Sequence, residues 1–218
     1  MCGRYSLNLN QDFYKQFGVV NQLSSFPKDT QVSPGQVEPV IIKQEGLTLA
    51  WTMKWGLIPF WAKERGVGNK MFNVRSESLT TKIGFRKSFT SKRCLVPSNG
   101  FYEWKTENGI KTPYYIEVSD RPLFAFAGIY DLWEEPVSGR EVYSFAIITT
   151  QPNSDIKPIH DRMPVILRPQ QEKVWLDRSV LTSKLDLLLR PSTENLSINQ
   201  FPQPYSPLLV SNKKRDIL

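Results

Sequence analysis

The chain has 218 residues, enough for a sizeable core, and Lys and Arg exceed Asp and Glu by 28 to 21, giving a net charge of +7 and a pI of about 9.4. That balance favours an anionic partner such as nucleic acid. Two cysteines and one histidine exclude a disulfide framework and leave no recognisable zinc set, and no apolar run approaches membrane-spanning length.

The chain opens on Met1-Cys2-Gly3-Arg4. The small side chain at position 2 permits removal of Met1, which would leave Cys2 with an α-amine and a thiol on one carbon. Such an aminothiol attacks aldehydes twice, through nitrogen to an imine and through sulfur to a thiazolidine. With ordinary pKa values of about 8 and about 8.5, both groups are expected to reach their nucleophilic forms near neutrality. The plain alternative is a poorly ordered terminus carrying an incidental cysteine. Asn10, then residues 11–17, then Gly18 read as a short capped helix with Phe13 and Phe17 on one face. The polar segment to Gly35, with Pro27 and Pro34, reads as a loop. Strands are expected over 37–43 and 47–55 around a Glu45-Gly46 turn. The aromatic run ending in Phe60-Trp61 is followed by a surface loop over 62–70.

Asn73, Arg75 and Glu77 are spaced two apart, which on an extended segment puts all three on one face; a solvated strand edge would look the same. Arg86, Lys87, Lys92 and Arg93 read as a phosphate-tracking surface or a solvated helix face. Residues 93–96 read as a buried strand with Cys94 in the core. Glu103 sits among Phe101, Tyr102 and Trp104. It is either a carboxyl whose pKa is raised by desolvation, suited to proton transfer, or an outward-facing strand residue. Asn108-Gly109 and Ser138-Gly139 mark hairpin turns among strands over 114–118, 123–133 and 142–149. The lone histidine, His160, precedes Asp161 and Arg162 at the mouth of a strand over 165–167. Helices are expected from Pro169 through Leu176 and from Thr182 through Leu189. From about residue 191 the tail reads as irregular, ending near Lys213-Lys214-Arg215. There is no Walker loop or dinucleotide fingerprint and no internal repeat, and the N-terminus lacks the basic-then-apolar order of a signal peptide. A soluble, cytoplasmic protein is expected.

Five blocks in order, Met1-Cys2-Gly3-Arg4-Tyr5, Trp55-Gly56-Leu57-Ile58-Pro59, Phe72-Asn73-Val74-Arg75-Ser76-Glu77, Arg93-Cys94-Leu95-Val96-Pro97 with Gly100-Phe101-Tyr102-Glu103-Trp104, and Ile159-His160-Asp161-Arg162-Met163-Pro164, resemble the SRAP family of SOS response-associated peptidases and abasic-site-processing proteins. The resemblance implies a single α+β domain over 1–218 with a barrel-like core of mainly antiparallel strands. It implies catalytic positions at Cys2, Asn73, Glu103 and His160, with Cys2 exposed by loss of Met1 and forming a thiazolidine with abasic sites in single-stranded DNA. It further implies DNA contacts from Arg4, Arg75 and Arg162, with Pro34, Trp104, Phe60 and Trp61 stacking on or wedging between bases. A monomer at the nucleoid is expected, needing no metal or cofactor. Gln31-Val32-Ser33-Pro34 departs from the family's Asn-x-Ala-Pro, which leaves contacts at Gln31 open. Two other functions remain: a cysteine peptidase in which His160 activates Cys2, and a non-covalent binder of single-stranded DNA.

Overall fold

The computed structural model describes residues 2–201. In chain order the strands and helices are β1 (Tyr5–Asn8), α1 (Asp12–Phe17), β2 (Lys28–Val32), β3 (Val37–Gln44), β4 (Leu47–Trp55), β5 (Asn73–Arg75), α2 (Ile83–Ser91), β6 (Arg93–Ser98), β7 (Gly100–Glu107), β8 (Ile110–Val118), β9 (Phe124–Glu134), β10 (Glu141–Thr150), β11 (Met163–Pro164), β12 (Ile166–Leu167), α3 (Pro169–Leu176), α4 (Thr182–Leu185) and β13 (Leu196–Gln200).

Five strands close into a barrel. β3 pairs with β4 and β6, β6 with β9, and β9 with β10, all antiparallel. The ring is shut by a short parallel pairing of β10 with β4, Ser144 opposite Lys54 and Phe145 opposite Trp55. Where β4 ends, β5 takes its place along β10, with Asn73, Val74 and Arg75 opposite Ile147, Ile148 and Thr149. A second, antiparallel sheet in the order β13, β8, β7, β1, β2 lies over the barrel. Its Tyr5 and Phe101 rings reach Phe126 of β9 at 6.2 and 5.9 Å, so one apolar core runs through both sheets.

The hairpin turns follow from local chemistry. Glu45-Gly46 and Asn108-Gly109 both adopt positive φ, at 51° and 81° and at 50° and 79°, the backbone a tight two-residue turn demands. Helix α1 ends at Gly18 in the left-handed region, and the Asn10 side chain accepts the Asp12 N–H at its start. Elsewhere the fold departs from the sequence expectations. The segment before Gly35 contains β2, an edge strand whose polar sequence hides it. Residues 65–70 form a 3-10 helix, and Ser76–Ser78 form another, which turns Glu77 off the line of Asn73 and Arg75. The tail is not irregular from 191: β13 pairs with β8 over five residues. Residues beyond 201, including Lys213-Lys214-Arg215, lie outside the described residues.

The basic cluster is also dispersed. Arg93 is 3% exposed, and its guanidinium donates to the carbonyls of Phe89 and Thr90 at the end of α2 and of Trp175 and Asp177 at the end of α3. It satisfies the orphan carbonyls of two helix ends at once. Lys92 pairs with the buried Asp131, so among the four positive charges Arg86 and Lys87 are left facing solvent. Among the described residues no helix is long and apolar enough to cross a membrane.

Candidate active site at the N-terminal strand

Burial of Tyr5, Ser6 and Leu7 fixes β1 in the interior of the second sheet, between β7 and β2. Tyr5 lies opposite Phe101, and the Tyr102 N–H donates to the Arg4 carbonyl at 2.9 Å, so the antiparallel register continues toward the N-terminus. That register brings the residues just after Cys2 alongside Glu103. Cys2 is fully buried in the untrimmed chain, its Sγ 3.8 Å from the Arg4 carbonyl. Burial pushes its thiol far above the ordinary range, and the nearby Glu103 charge pushes it further. The sequence expectation of a thiol titrating near neutrality therefore does not hold for this state.

Two sheets converge on this residue. From β5, Asn73 Nδ2 donates to the Cys2 carbonyl at 2.7 Å, while Asn73 Oδ1 is buried with no hydrogen-bond partner among the described residues. From β7, Glu103 is 2% exposed, and burial raises its carboxyl to about 7. Glu103 therefore faces the interior, with the raised carboxyl that desolvation predicts, and not outward. His160 arrives from the loop ahead of β11, with Nε2 3.9 Å from Glu103 Oε2. Its Nδ1 accepts the Arg162 backbone N–H at 3.0 Å and lies 2.9 Å from Asp161 Oδ1. Burial holds the imidazole below its ordinary value, against the opposing pull of Asp161. An open depression of about 610 Å³ adjoins it, bordered by Gln151, Pro152, Lys157, Ile159 and Asp161. The four residues thus form one cluster in which a carboxyl and an imidazole lie 3.9 Å apart beside an amide-held Cys2. Among the described residues, no group of His, Cys, Asp and Glu could hold a metal.

The remaining sequence-derived positions divide. Arg4 Nη1 donates to Gln31 Oε1 at 2.9 Å, and its guanidinium lies 6.0 Å from the Trp104 ring centroid. Gln31, left open by the sequence, thus supports the arginine next to Cys2. Pro34 is half-buried in the turn after β2, three residues beyond Gln31, and Arg75 is exposed at the end of β5. Arg162 is placed otherwise than a surface phosphate contact: it is 4% exposed, its Nη1 and Nη2 donate to both Glu77 oxygens at 2.7 and 2.9 Å, and Nη2 also donates to the Thr149 carbonyl at 2.6 Å. Phe60 and Trp61, each half exposed, stand apart from the cluster. The Phe60 N–H is held by Asp131, which pairs with Ser144, five residues along β10 from Thr149, or about 17 Å of strand. The sequence indicates no partner for Glu77. The alternation from Asn73 to Glu77 singled it out, but only the fold shows that it grips Arg162.

A barrel carrying a second sheet, with Cys2, Asn73, Glu103 and His160 gathered around the N-terminal strand, defines an α+β protein with a candidate site at Cys2. The chain belongs to the SOS response associated peptidase (SRAP) family, whose pattern it matches over residues 1–203. It is 41% identical to the abasic site processing protein YoqW of Bacillus subtilis, across 88% of this chain and 87% of that protein. It is 33% identical to the abasic site processing protein HMCES of Xenopus tropicalis, across 74% of this chain and 58% of that protein. A crystal structure of a Bacteroides thetaiotaomicron protein superimposes with a TM-score of 0.84 at 31% identity, covering 93% of both chains. That likeness bears out the barrel-cored α+β architecture expected from the sequence.

Proposed function

We propose that the protein processes abasic sites in single-stranded DNA by covalent capture on Cys2, after loss of Met1 frees the α-amine. The observation that carries this reading is the grip of Asn73 on the Cys2 carbonyl beside a buried carboxyl with a pKa of about 7. The names of the similar Bacillus and Xenopus proteins support the substrate.

The chemistry follows from the groups present. The Cys2 amine adds to C1′ of the ring-opened sugar, and the aldehyde oxygen takes up a proton to give a carbinolamine. Loss of water leaves an imine. The Cys2 sulfur then adds to the imine carbon, its proton passes to nitrogen, and the thiazolidine closes with one water released overall. Each step moves a proton, and Glu103 can give or take one at neutral pH. A buried, protonated thiol suits this order, because nitrogen attacks first and sulfur is called on only once the electrophilic imine stands beside it. Asn73 Oδ1, a buried acceptor still open, can orient the amine or a sugar hydroxyl. His160 can protonate the sugar ring oxygen and so favour the open aldehyde. Arg4 and the exposed Arg75 hold flanking phosphates, Trp104 and Pro34 stack at the lesion, and Phe60 with Trp61 meets the strand farther off. The protein acts as a monomer.

The test is a denaturing gel with intact mass, using protein verified to begin at Cys2 and an oligonucleotide with one abasic site. The wild type gives an adduct of protein plus DNA less one water; Cys2→Ala, and a form retaining residues ahead of Cys2, give none. An undiminished adduct with either would overturn the mechanism.

A further inference from the structure

The contact between Glu77 and Arg162 lies outside the chemistry assigned above. Glu77 is half exposed, on the 3-10 turn after β5, whereas Arg162 is buried, with its two terminal guanidinium nitrogens bound to the Glu77 carboxylate. The same guanidinium is tied to the Thr149 carbonyl on β10. Arg162 is therefore fixed at its side chain from two elements, and its backbone is fixed with it. That backbone carries the N–H that reaches His160 Nδ1 at 3.0 Å. When Nδ1 accepts this bond, the single proton of a neutral imidazole sits on Nε2, the nitrogen 3.9 Å from Glu103 Oε2.

We infer that Glu77 is a positioning residue: by clamping Arg162 it presents the Arg162 N–H to His160 and holds the imidazole in the tautomer whose Nε2–H faces Glu103. A competing arrangement is visible at the same atom. Asp161 Oδ1 lies 2.9 Å from Nδ1 and would require the proton there. Asp161 is 84% exposed at its side chain, so its carboxylate is well solvated and its hold is weak, while the Arg162 amide is fixed by a buried clamp. Among the described residues, the groups shown facing the imidazole are Glu103 from β7 and Asp161 and Arg162 from its own loop, and the clamp decides between the two carboxylates. The charge-assisted, two-pronged geometry of the Glu77 and Arg162 pair suits that role. Arg162 then serves catalysis through its backbone, and Glu77 serves it without touching substrate.

The catalytic half of this inference rests on the proposed capture reaction; the tautomer does not, so the two can fail separately. The chain contains one histidine, so long-range ¹H–¹⁵N correlation spectra report the His160 tautomer without ambiguity. At pH 8 the wild type is expected to show a protonated Nε2 and a bare Nδ1. In Glu77→Ala, and in Glu77→Gln should the alanine variant fail to fold, both nitrogen shifts move toward the average of the two tautomers. Crosslinking at saturating abasic DNA slows about tenfold, its pH profile shifts, and DNA affinity does not fall, with Glu77→Asp recovering part of the rate. A wild-type imidazole protonated on Nδ1, or His160 shifts unchanged in a folded variant, would overturn the inference. A wild type that forms no crosslink would instead sink the capture reaction and leave the spectra to judge the clamp.

Discussion

Glu103→Gln separates what the site needs from what the fold prefers. The folded carboxyl titrates at about 7 against an ordinary 4.5, chiefly because burial strips water from its charge. Between those values the folded chain holds a proton that the unfolded chain has released, so stability declines as pH rises through this window. The charge-related cost is absent below about 4.5 and complete above about 7. At about 1.36 kcal/mol per pH unit the difference amounts to about 3 kcal/mol, and at 2% exposure solvent screening removes little of it. Glutamine is neutral throughout. Relative to wild type, Glu103→Gln should therefore gain about 3 kcal/mol of stability on going from pH 4 to pH 8. Urea titrations of both proteins at the two pH values measure this, and other titrating groups such as Glu172 cancel in the comparison. The same substitution removes the proposed proton carrier and should slow the proposed crosslinking about 100-fold or more, with DNA affinity little changed. Parallel pH dependence of stability in the two proteins would refute the buried-carboxyl argument. Equal losses in rate and affinity would refute the proton-transfer role.

Arg75→Ala should weaken binding to abasic single-stranded DNA and lower the slope of log affinity against log salt by about one, with stability within about 0.5 kcal/mol of wild type, because this arginine is exposed at a strand end. Titrations across salt concentration measure the slope, and an unchanged slope would make Arg75 a structural residue. Gly68→Ala should destabilise the fold by about 1–3 kcal/mol, because an added Cβ would stand 2.6 Å from the Gly56 carbonyl oxygen, on backbone that cannot swing aside. A urea midpoint equal to wild type would show that the 3-10 turn and the segment after β4 can part without cost.

The parts of the fold legible in the sequence were those with a local cause. Two-residue turns at Glu45-Gly46 and Asn108-Gly109 announce the hairpins β3–β4 and β7–β8, and dense β-branched and aromatic runs announce β9 and β10. The closure of the barrel has no such signature, because it rests on two residue pairs joining β4 to β10 about ninety positions apart. β2 and β13, polar strands at the sheet edges, were hidden for a related reason: only one side needs an apolar residue, and a partner strand supplies the rest. Charge was misread where burial converts it to a structural role. Arg93 and Lys92 look like surface, yet one joins two helix ends and the other neutralises Asp131. In the site, the spacing of Asn73 and Arg75 was informative because both lie on one short strand. Glu77 continues the spacing but not the strand.

Cys2 sits just ahead of the strand that ties down the N-terminal segment. A reactive terminus and a fixed one are opposing demands, since chain ends fray unless something ties them down. Here β1 is only four residues long, but it is inserted between β7 and β2, so loosening it would break pairing on both sides and expose Tyr5 and Leu7. The core of the protein therefore restrains Cys2, the proposed nucleophile. The same insertion explains why Glu103 must be buried: it lies on β7, the strand that holds β1, two residues beyond Phe101, whose ring fills the space between the sheets. A carboxyl at that place destabilises the fold when charged, and for that reason it keeps a proton at a pH where an exposed glutamate would have lost it. Holding Cys2 in place and raising the Glu103 carboxyl are consequences of one strand pairing.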